Sequence, residues 1–271
     1  MNARSALFDL YGDHLRSRGG RARIASLVAL LAPLGVAPPA ARTAVSRMVK
    51  QGWLRPARID GAAGYALTPR AEQRLDNAAA RIYRTAPDNA WDGRWHLIIP
   101  DRPADRAGRE RLRNGLTYLG YAPLGDGTWL AARRSPELDT LLESEKISAD
   151  RFAAEYEADD TALVGRAWNL EAIGHAYERW LAEARELVGA LPADPPDEQV
   201  FAVRSRLVHE WRKFLFTDPG LPRSLLPADW PGDDAAAYFD AEASRLLPAS
   251  ARFVDSCLSL PRNDRENGAM S

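Results

Sequence analysis

Among 271 residues there is a single cysteine, Cys257, and the four histidines, His14, His96, His175 and His209, are far apart. One cysteine excludes an intrachain disulfide and any cysteine-based zinc cluster. There is no His-x-x-x-His pair, no glycine-rich phosphate loop and no Gly-x-Ser-x-Gly elbow. A lone histidine is more often a packed residue than a ligand. The chain thus offers no metal motif and no catalytic motif, and it is expected not to be an enzyme. No apolar run approaches the roughly 20 residues that a membrane span needs. Asp9 and Asp13 interrupt the first amphipathic segment, where a signal peptide would be apolar. A cytoplasmic protein with no membrane partner is expected. What remains is a globular composition, 46% hydrophobic and 27% charged, long enough for two or three domains.

Charge is unevenly spread. Residues 1–90 hold 14 Lys and Arg against 6 Asp and Glu, a net of +8, and the remainder holds 22 against 31, a net of −9. Such a split points to a basic module that meets a polyanion, carried by an acidic body with another task.

The basic module reads as three helices and a hairpin. Leu7, Leu10, Tyr11 and Leu15 predict a helix over 5–16, which Gly19-Gly20 breaks. Ile24, Leu27, Val28, Leu30 and Leu31 predict a second, ended by Pro33 and Gly35. The third opens on Pro38-Pro39 and stops at Gly52. Ala41, Val45, Met48 and Val49 line its inner face, and Arg42, Thr43, Ser46, Arg47 and Lys50 its outer stripe. That stripe carries no acid, whereas a solvated helix face usually mixes signs. Arginines there suit guanine edges, the hydroxyls suit base edges or phosphates, and Lys50 suits a phosphate. A strand at Trp53–Arg58 carries Arg55 and Arg58, a glycine-bearing turn spans 59–64, and Tyr65–Leu67 returns. Thr68 is placed to cap a helix from Pro69 to about Arg84. This is the order of a winged helix-turn-helix.

In the middle, Trp95–Ile99 reads as a strand, Pro103–Leu119 as a helix, and 121–124 and 128–132 as strands around Gly125-Asp126-Gly127. The order β-α-β-β-α fits a ferredoxin-like unit. Asp101 follows the first strand without a companion acid, as a turn or cap residue does. From about residue 158 the chain is helical, with helices expected over 166–188, 197–216 and 233–247. The domain reading is therefore α+β: 1–90 winged helix, 91–157 ferredoxin-like, 158–260 helical and 261–271 a flexible tail.

These residues together resemble the PaaX family of transcriptional repressors of phenylacetate catabolism and related pathways. The resemblance rests on Leu30–Val36, Ala41–Leu54, Tyr65–Thr68, Arg81-Ile82-Tyr83 and Trp91–Trp95, then Gly165–Leu170, Asp218–Pro222 and Leu225–Gly232, and covers about 5–255. It implies a Cas2-like central domain making dimer contacts, and relief of repression by an aryl- or related acyl-CoA. The hairpin tip, Asp60–Gly64, lacks the arginines that family members often carry, so Arg55 and Arg58 are expected to substitute. Asn169 stands where an aspartate is common.

An acyl-CoA needs an aromatic slot and cations for its phosphates. Trp168, Tyr177, His209, Trp211 and Arg212 are the candidates, with His209 and Arg212 one helical turn apart; the same aromatics would also serve as plain core. The expected function is a ligand-responsive repressor that binds a palindromic DNA operator as a homodimer, without a cofactor. The alternative is an adaptor whose winged helix docks on a protein.

Overall fold

The computed structural model describes residues 1–83 and 91–260. The expected helix end at Arg84 and the expected tail 261–271 lie outside the described residues. The chain forms two compact units, Met1–Ala86 with Ala182–Trp211 and Ala237–Ser271, and Pro87–Leu181 with Arg212–Ala236. These units do not follow the linear order 1–90, 91–157 and 158–260, because the segments of the helical part after 158 divide between them.

Helix α1 (Ala3–Leu10) starts on Asn2, whose side chain accepts the Ser5 N–H at 2.9 Å. The expected single helix over 5–16 instead widens into a π turn, Tyr11–Leu15, and tightens into a 3₁₀ turn, Arg16–Arg18, ended by Gly19 at φ 82°. The wide turn brings Tyr11, His14 and Leu15 all inward. A short strand β1 (Arg21–Arg23) follows, too brief to show alternation in the sequence. Then come α2 (Ile24–Leu31), a 3₁₀ turn over Ala32–Leu34, and α3 (Pro38–Lys50). Strands β2 (Leu54–Ile59) and β3 (Ala62–Leu67) form a hairpin whose two-residue turn puts Asp60 at φ 50° and Gly61 at φ 77°. Positive φ at both positions is the type I′ geometry, which matches strand twist. The turn is shorter than the expected 59–64, because Ala62, Ala63 and Gly64 pair with Ile59, Arg58 and Ala57. β1 joins the free side of β3, giving the order β1-β3-β2. Thr68 caps α4 (Pro69–Ile82) as expected, accepting the Ala71 N–H at 3.3 Å while donating to Gly52 O at 2.7 Å.

The second unit begins with β4 (Trp95–Pro100), α5 (Arg106–Tyr118), β5 (Ala122–Gly125), β6 (Thr128–Ala131), α6 (Leu138–Glu145) and β7 (Ala149–Ala154). The antiparallel order β5-β6-β4-β7 places the first strand inside the sheet, which is the ferredoxin-like arrangement. β7 completes it; the sequence did not reveal this strand because it carries no apolar alternation. Ile98 and Ala131 face α5 and α6, packing with Leu112, Leu116, Leu138 and Leu142. Trp95, Leu97 and Leu130 face the other way, onto Leu163 and Val164 of α7 (Asp160–Ala167). Where one helix was expected over 166–188, the chain breaks at Trp168 and restarts as α8 (Leu170–Gly189), with Asn169 accepting the Ala172 N–H at 3.0 Å.

Helix α9 (Asp197–Trp211) ends five residues before the expected Phe216, in a 3₁₀ turn over Arg212–Phe216. Helix α10 (Pro231–Leu258) runs through Pro248 instead of stopping at Leu247. An internal proline costs about 3 kcal/mol. Continuing the helix offsets this by burying Val254 and Cys257 in the same core as Leu7, Leu27, Leu30, Val45 and Phe201. The N-terminal core is thus closed by residues from α9 and α10. Arg23 holds the end of α10, donating to Leu258 O and Leu260 O at 2.6 Å each, and Arg18 meets Asp255 at 2.7 Å.

A buried ionic cluster ties α9 to the π turn. The Arg204 guanidinium pairs with Asp13, and its Nε donates to Ala243 O at 3.1 Å. The Tyr83 hydroxyl also donates to Asp13. One turn earlier, Asp9 Oδ2 lies 2.6 Å from His209 Nδ1. Burial alone would raise the Asp13 carboxyl; the charges of His14 and Arg204 and hydrogen bonds from Tyr83 and Arg204 outweigh it and hold it low. Burial pushes the His14 imidazole down, with Arg204 and Arg18 adding to the effect against Asp13.

Two outcomes follow for stability. Arg204→Ala leaves a buried carboxylate unpaired and is expected to cost about 3–5 kcal/mol in urea unfolding. Asp13→Leu combined with Arg204→Met should cost less than Arg204→Ala alone, and an equal or larger loss would contradict the assignment. Asp13 and His14 both have folded pKa values below their unfolded ones, so the unfolded state binds more protons in acid. Stability should therefore fall as pH drops below the ordinary imidazole value of 6.5 and continue to fall through the carboxylate range. A melting temperature that does not change between pH 8 and pH 5 would count against this.

Candidate nucleic-acid interface

The packing of α3 decides what it can present. Ala41, Ala44, Val45 and Met48 are buried and Val49 is half-buried, so the inner face is used up by the core. Arg42, Thr43, Ser46, Arg47 and Lys50 are all exposed on the opposite stripe. The Thr43 hydroxyl donates to Pro39 O at 2.9 Å, which commits its proton and leaves its oxygen lone pairs outward. Arg47 and Lys50 stand in the last turn, where the helix C-terminus favours cations. Among the described residues neither of them has a carboxylate partner.

β2 follows directly, and both of its arginines are exposed. Arg58 donates to Gly61 O at 2.9 Å, bracing the turn. Arg55 lies opposite Ala66, and Ala66 also faces Arg21 of β1, so Arg21 and Arg55 share one row on one sheet face. Arg21 was not singled out from the sequence, because its strand was not recognised. The stripe and the hairpin give an acid-poor surface of guanidinium, ammonium and hydroxyl groups, which suits phosphates and base edges.

The five effector candidates divide between the two units. His209 and Trp211 belong to the first unit, Trp168, Tyr177 and Arg212 to the second. His209 is engaged with Asp9. The Trp211 ring stacks on Phe239 at 4.7 Å and its Nε1 donates to Ile82 O at 3.2 Å. The expected His209–Arg212 pair does not share a helix, since α9 ends between them. In the second unit Trp168 stacks at 6.1 Å on Trp95, which is itself buried. Tyr177 stacks on Phe214 at 4.0 Å, meets Trp230 edge-on at 6.0 Å and donates its hydroxyl to Asp218. Gly232 allows that cluster to close: a Cβ there would stand 2.3 Å from Trp230 Nε1. Phe214 and Asp218 were not singled out as ligand residues. Their signal was a buried tyrosine needing a partner for its hydroxyl.

Other chemistry is sparse. Among the described residues no group of three His, Cys, Asp or Glu side chains could hold a metal ion. Asp101 is exposed, and its N–H closes the β4–β7 ladder on Ser148 O at 2.8 Å. His96 Nδ1 and the Tyr121 hydroxyl share a 2.7 Å hydrogen bond; burial, then Arg134 and Arg151, lower the imidazole, while burial raises the phenol to about 12. Among the described residues no single helix is long and apolar enough to cross a membrane.

Comparison with known proteins agrees along most of the chain. Residues 2–71 match the family model of PaaX-like proteins, 88–163 the central Cas2-like domain of PaaX proteins, and 168–256 the C-terminal domain of PaaX-like proteins. The transcriptional repressor PaaX of Escherichia coli (strain K12) is 30% identical over 261 residues, covering 92% of this chain and 82% of that protein. The solved structure of the uncharacterized protein Rv0674 from Mycobacterium tuberculosis superposes with a TM-score of 0.58 at 26% identity, covering 94% of this chain and 98% of that one. On these matches, which reach every part of the fold just described, the chain belongs to the PaaX-like family.

Proposed function

We propose that this chain is a cytoplasmic, ligand-responsive transcriptional repressor. Its N-terminal elements act as a winged helix-turn-helix on a palindromic operator, two copies bind together, and an acyl-CoA releases them. The observation that carries the DNA reading is the exposed, acid-free stripe of α3 opposite a face that packs into the core. An adaptor surface would be expected to expose apolar anchors. This stripe exposes none, and the cations beside it favour a polyanion.

One short recognition helix reads too few bases to select an operator. Two copies on half-sites about one helical turn apart supply the missing contacts, and a two-fold dimer matches a palindrome. For the effector, what supports the reading is the aromatic cluster of Tyr177, Phe214 and Trp230 in the second unit, with Trp168 and Arg212 in the same unit. Trp168, Tyr177 and Arg212 fall in one unit, so we assign the acyl slot to the Tyr177 cluster and phosphate contact to Arg212. A ligand changes DNA affinity only by binding the competent and incompetent states unequally, and a tenfold loss needs about 1.4 kcal/mol of difference.

Two experiments test this. Arg42→Ala and Arg47→Ala should each weaken operator binding by about 1–3 kcal/mol where the arginine reads a base, while Lys50→Ala weakens all sequences alike and lowers the salt slope by about one. Unchanged operator affinity in the folded Arg42→Ala, Arg47→Ala protein removes α3 from the interface. In gel shifts with acyl-CoA thioesters and the matching free acids, an aryl or related thioester should release the operator and the acids should not. Release by the acids alone refutes the phosphate contact, and intact thioester release by Arg212→Ala or Tyr177→Leu moves the site elsewhere.

A further inference from the structure

The two edges of the second unit's sheet are built differently. β5 is protected: it contains Pro123, which has no N–H to offer, and its pairing with β6 shifts register between Pro123 and Gly125. β7 has neither a proline nor a bulge, and it pairs with β4 without interruption from Ala149 to Ala154. The N–H of Asp101 donates to Ser148 O, so residue 148 turns its backbone toward β4. Alternation then turns the backbones of 150, 152 and 154 toward β4 and those of Ala149, Arg151 and Ala153 outward. Pro100 fits this phase, since it faces Ala149 at a position where β4 needs no donor.

The side chains show the same incompleteness. Leu130, Leu97 and Phe152 form one cross-strand row on the face that α7 covers. Burial falls along the row: Leu130 is 1% exposed, Leu97 half-buried and Phe152 52% exposed. Beside it Ile99, also on β4, is 42% exposed. Among the described residues an apolar layer therefore runs off the covered part of the sheet and ends uncovered at an edge strand.

We propose that β7 pairs antiparallel with β7 of a second copy, in the register that sets Phe152 against the partner's Phe152. This rests on the homodimer reading above and names its surface. Two-fold edge pairing keeps facing residues on the same side of the sheet, so only residues of like parity face each other. Centring on Asp150 or Arg151 would set like charges face to face, which is unfavourable. Centring on Ala153 would leave only Phe152–Ala154 paired within the strand. Centring on Phe152 pairs Asp150–Ala154 of both copies, sets Arg151 and Asp150 opposite alanines and continues the Leu130–Leu97–Phe152 row into the partner. It also matches the backbone phase. Arg151 and Ala153 turn outward and exchange hydrogen bonds with the partner's Ala153 and Arg151, while the two Phe152 residues meet at the close, non-hydrogen-bonded position.

Cα atoms at such a position are about 4.5 Å apart, within reach of a disulfide. In a Cys257→Ala background, the full chain carrying Phe152→Cys should cross-link to a covalent dimer on mild oxidation, and the chain carrying Ala154→Cys should not. Phe152→Asp should raise the dimer dissociation constant at least tenfold in sedimentation, with the circular dichroism unchanged. A dimer that Phe152→Asp leaves intact and that Phe152→Cys fails to cross-link places the interface elsewhere and overturns this proposal alone. A chain that is monomeric at micromolar concentration, free and on DNA, overturns the homodimer reading and this proposal with it.

Discussion

The first unit depends on a charge pair removed from water. Arg204 and Asp13 are almost completely buried, and neither would be stable there alone. Together with Tyr83 and the Ala243 carbonyl they satisfy most of one another's hydrogen-bonding capacity. The consequence is positional. Apolar contacts among α1, α3 and α9 would tolerate sliding, since leucine packs on leucine at many offsets. A guanidinium meeting one carboxylate does not. The pair sets the register of α9 on the π turn, and Asp9 with His209 repeats the constraint one turn away. A widened helical turn at this place is explained by the same need, because it turns Tyr11, His14 and Leu15 inward together while Asp13 faces the guanidinium.

Pairing also decides which cations stay available. In the first unit Arg16 is held by Asp76, Arg18 by Asp255, Arg23 by two carbonyls at the end of α10 and Arg204 by Asp13. These arginines belong to the fold. Arg47, Lys50 and Arg55 have no carboxylate partner among the described residues and stand exposed on α3 and β2. The ion pairs leave the net of +8 over residues 1–90 unchanged, since Asp13 is neutralised as well as Arg18, but they separate the arginines that hold the fold from the exposed cations of α3 and β2. Counting charge along the sequence locates a basic module; only the pairing shows which of its cations stand exposed without a carboxylate.

The sequence was most legible where local physics dominates. The inner and outer faces of α3 follow from helical spacing, the Thr68 cap from a hydroxyl ahead of a proline, and the β-α-β-β order from the short apolar runs Trp95–Ile99 and Thr128–Ala132 and the Gly125-Asp126-Gly127 turn. It was least legible where tertiary packing overrides local preference. Pro248 signals a stop, yet α10 continues because Val254 and Cys257 gain burial. β7 has the composition of a loop and becomes a strand through backbone pairing with β4. The effector candidates divide between the two units, because aromatic spacing along a helix says nothing about which unit each ring enters. Asp9 and Asp13 were visible as acids on an apolar stripe, and that mismatch was the available signal for a buried partner on a distant helix.

The boundary near residue 90 thus means something different in sequence and in structure. Family models, charge and motif order all place a module before it. The core of that module nevertheless includes Phe201, Val254 and Cys257, and its ionic cluster includes Arg204. A segment cut at 90 would expose the apolar surface these side chains cover and leave Asp13 buried without its guanidinium. Helix α3 is therefore held by residues more than a hundred positions away. The chain crosses between units after Leu181, Trp211 and Ala236, so the segments that complete the first core are covalently continuous with the second unit. Under the proposed function, an acyl-CoA bound in the second unit need not touch α3 to matter. It needs only to prefer one arrangement of chain segments whose other ends are fixed in the first core, and the Arg204–Asp13 pair fixes one of those ends.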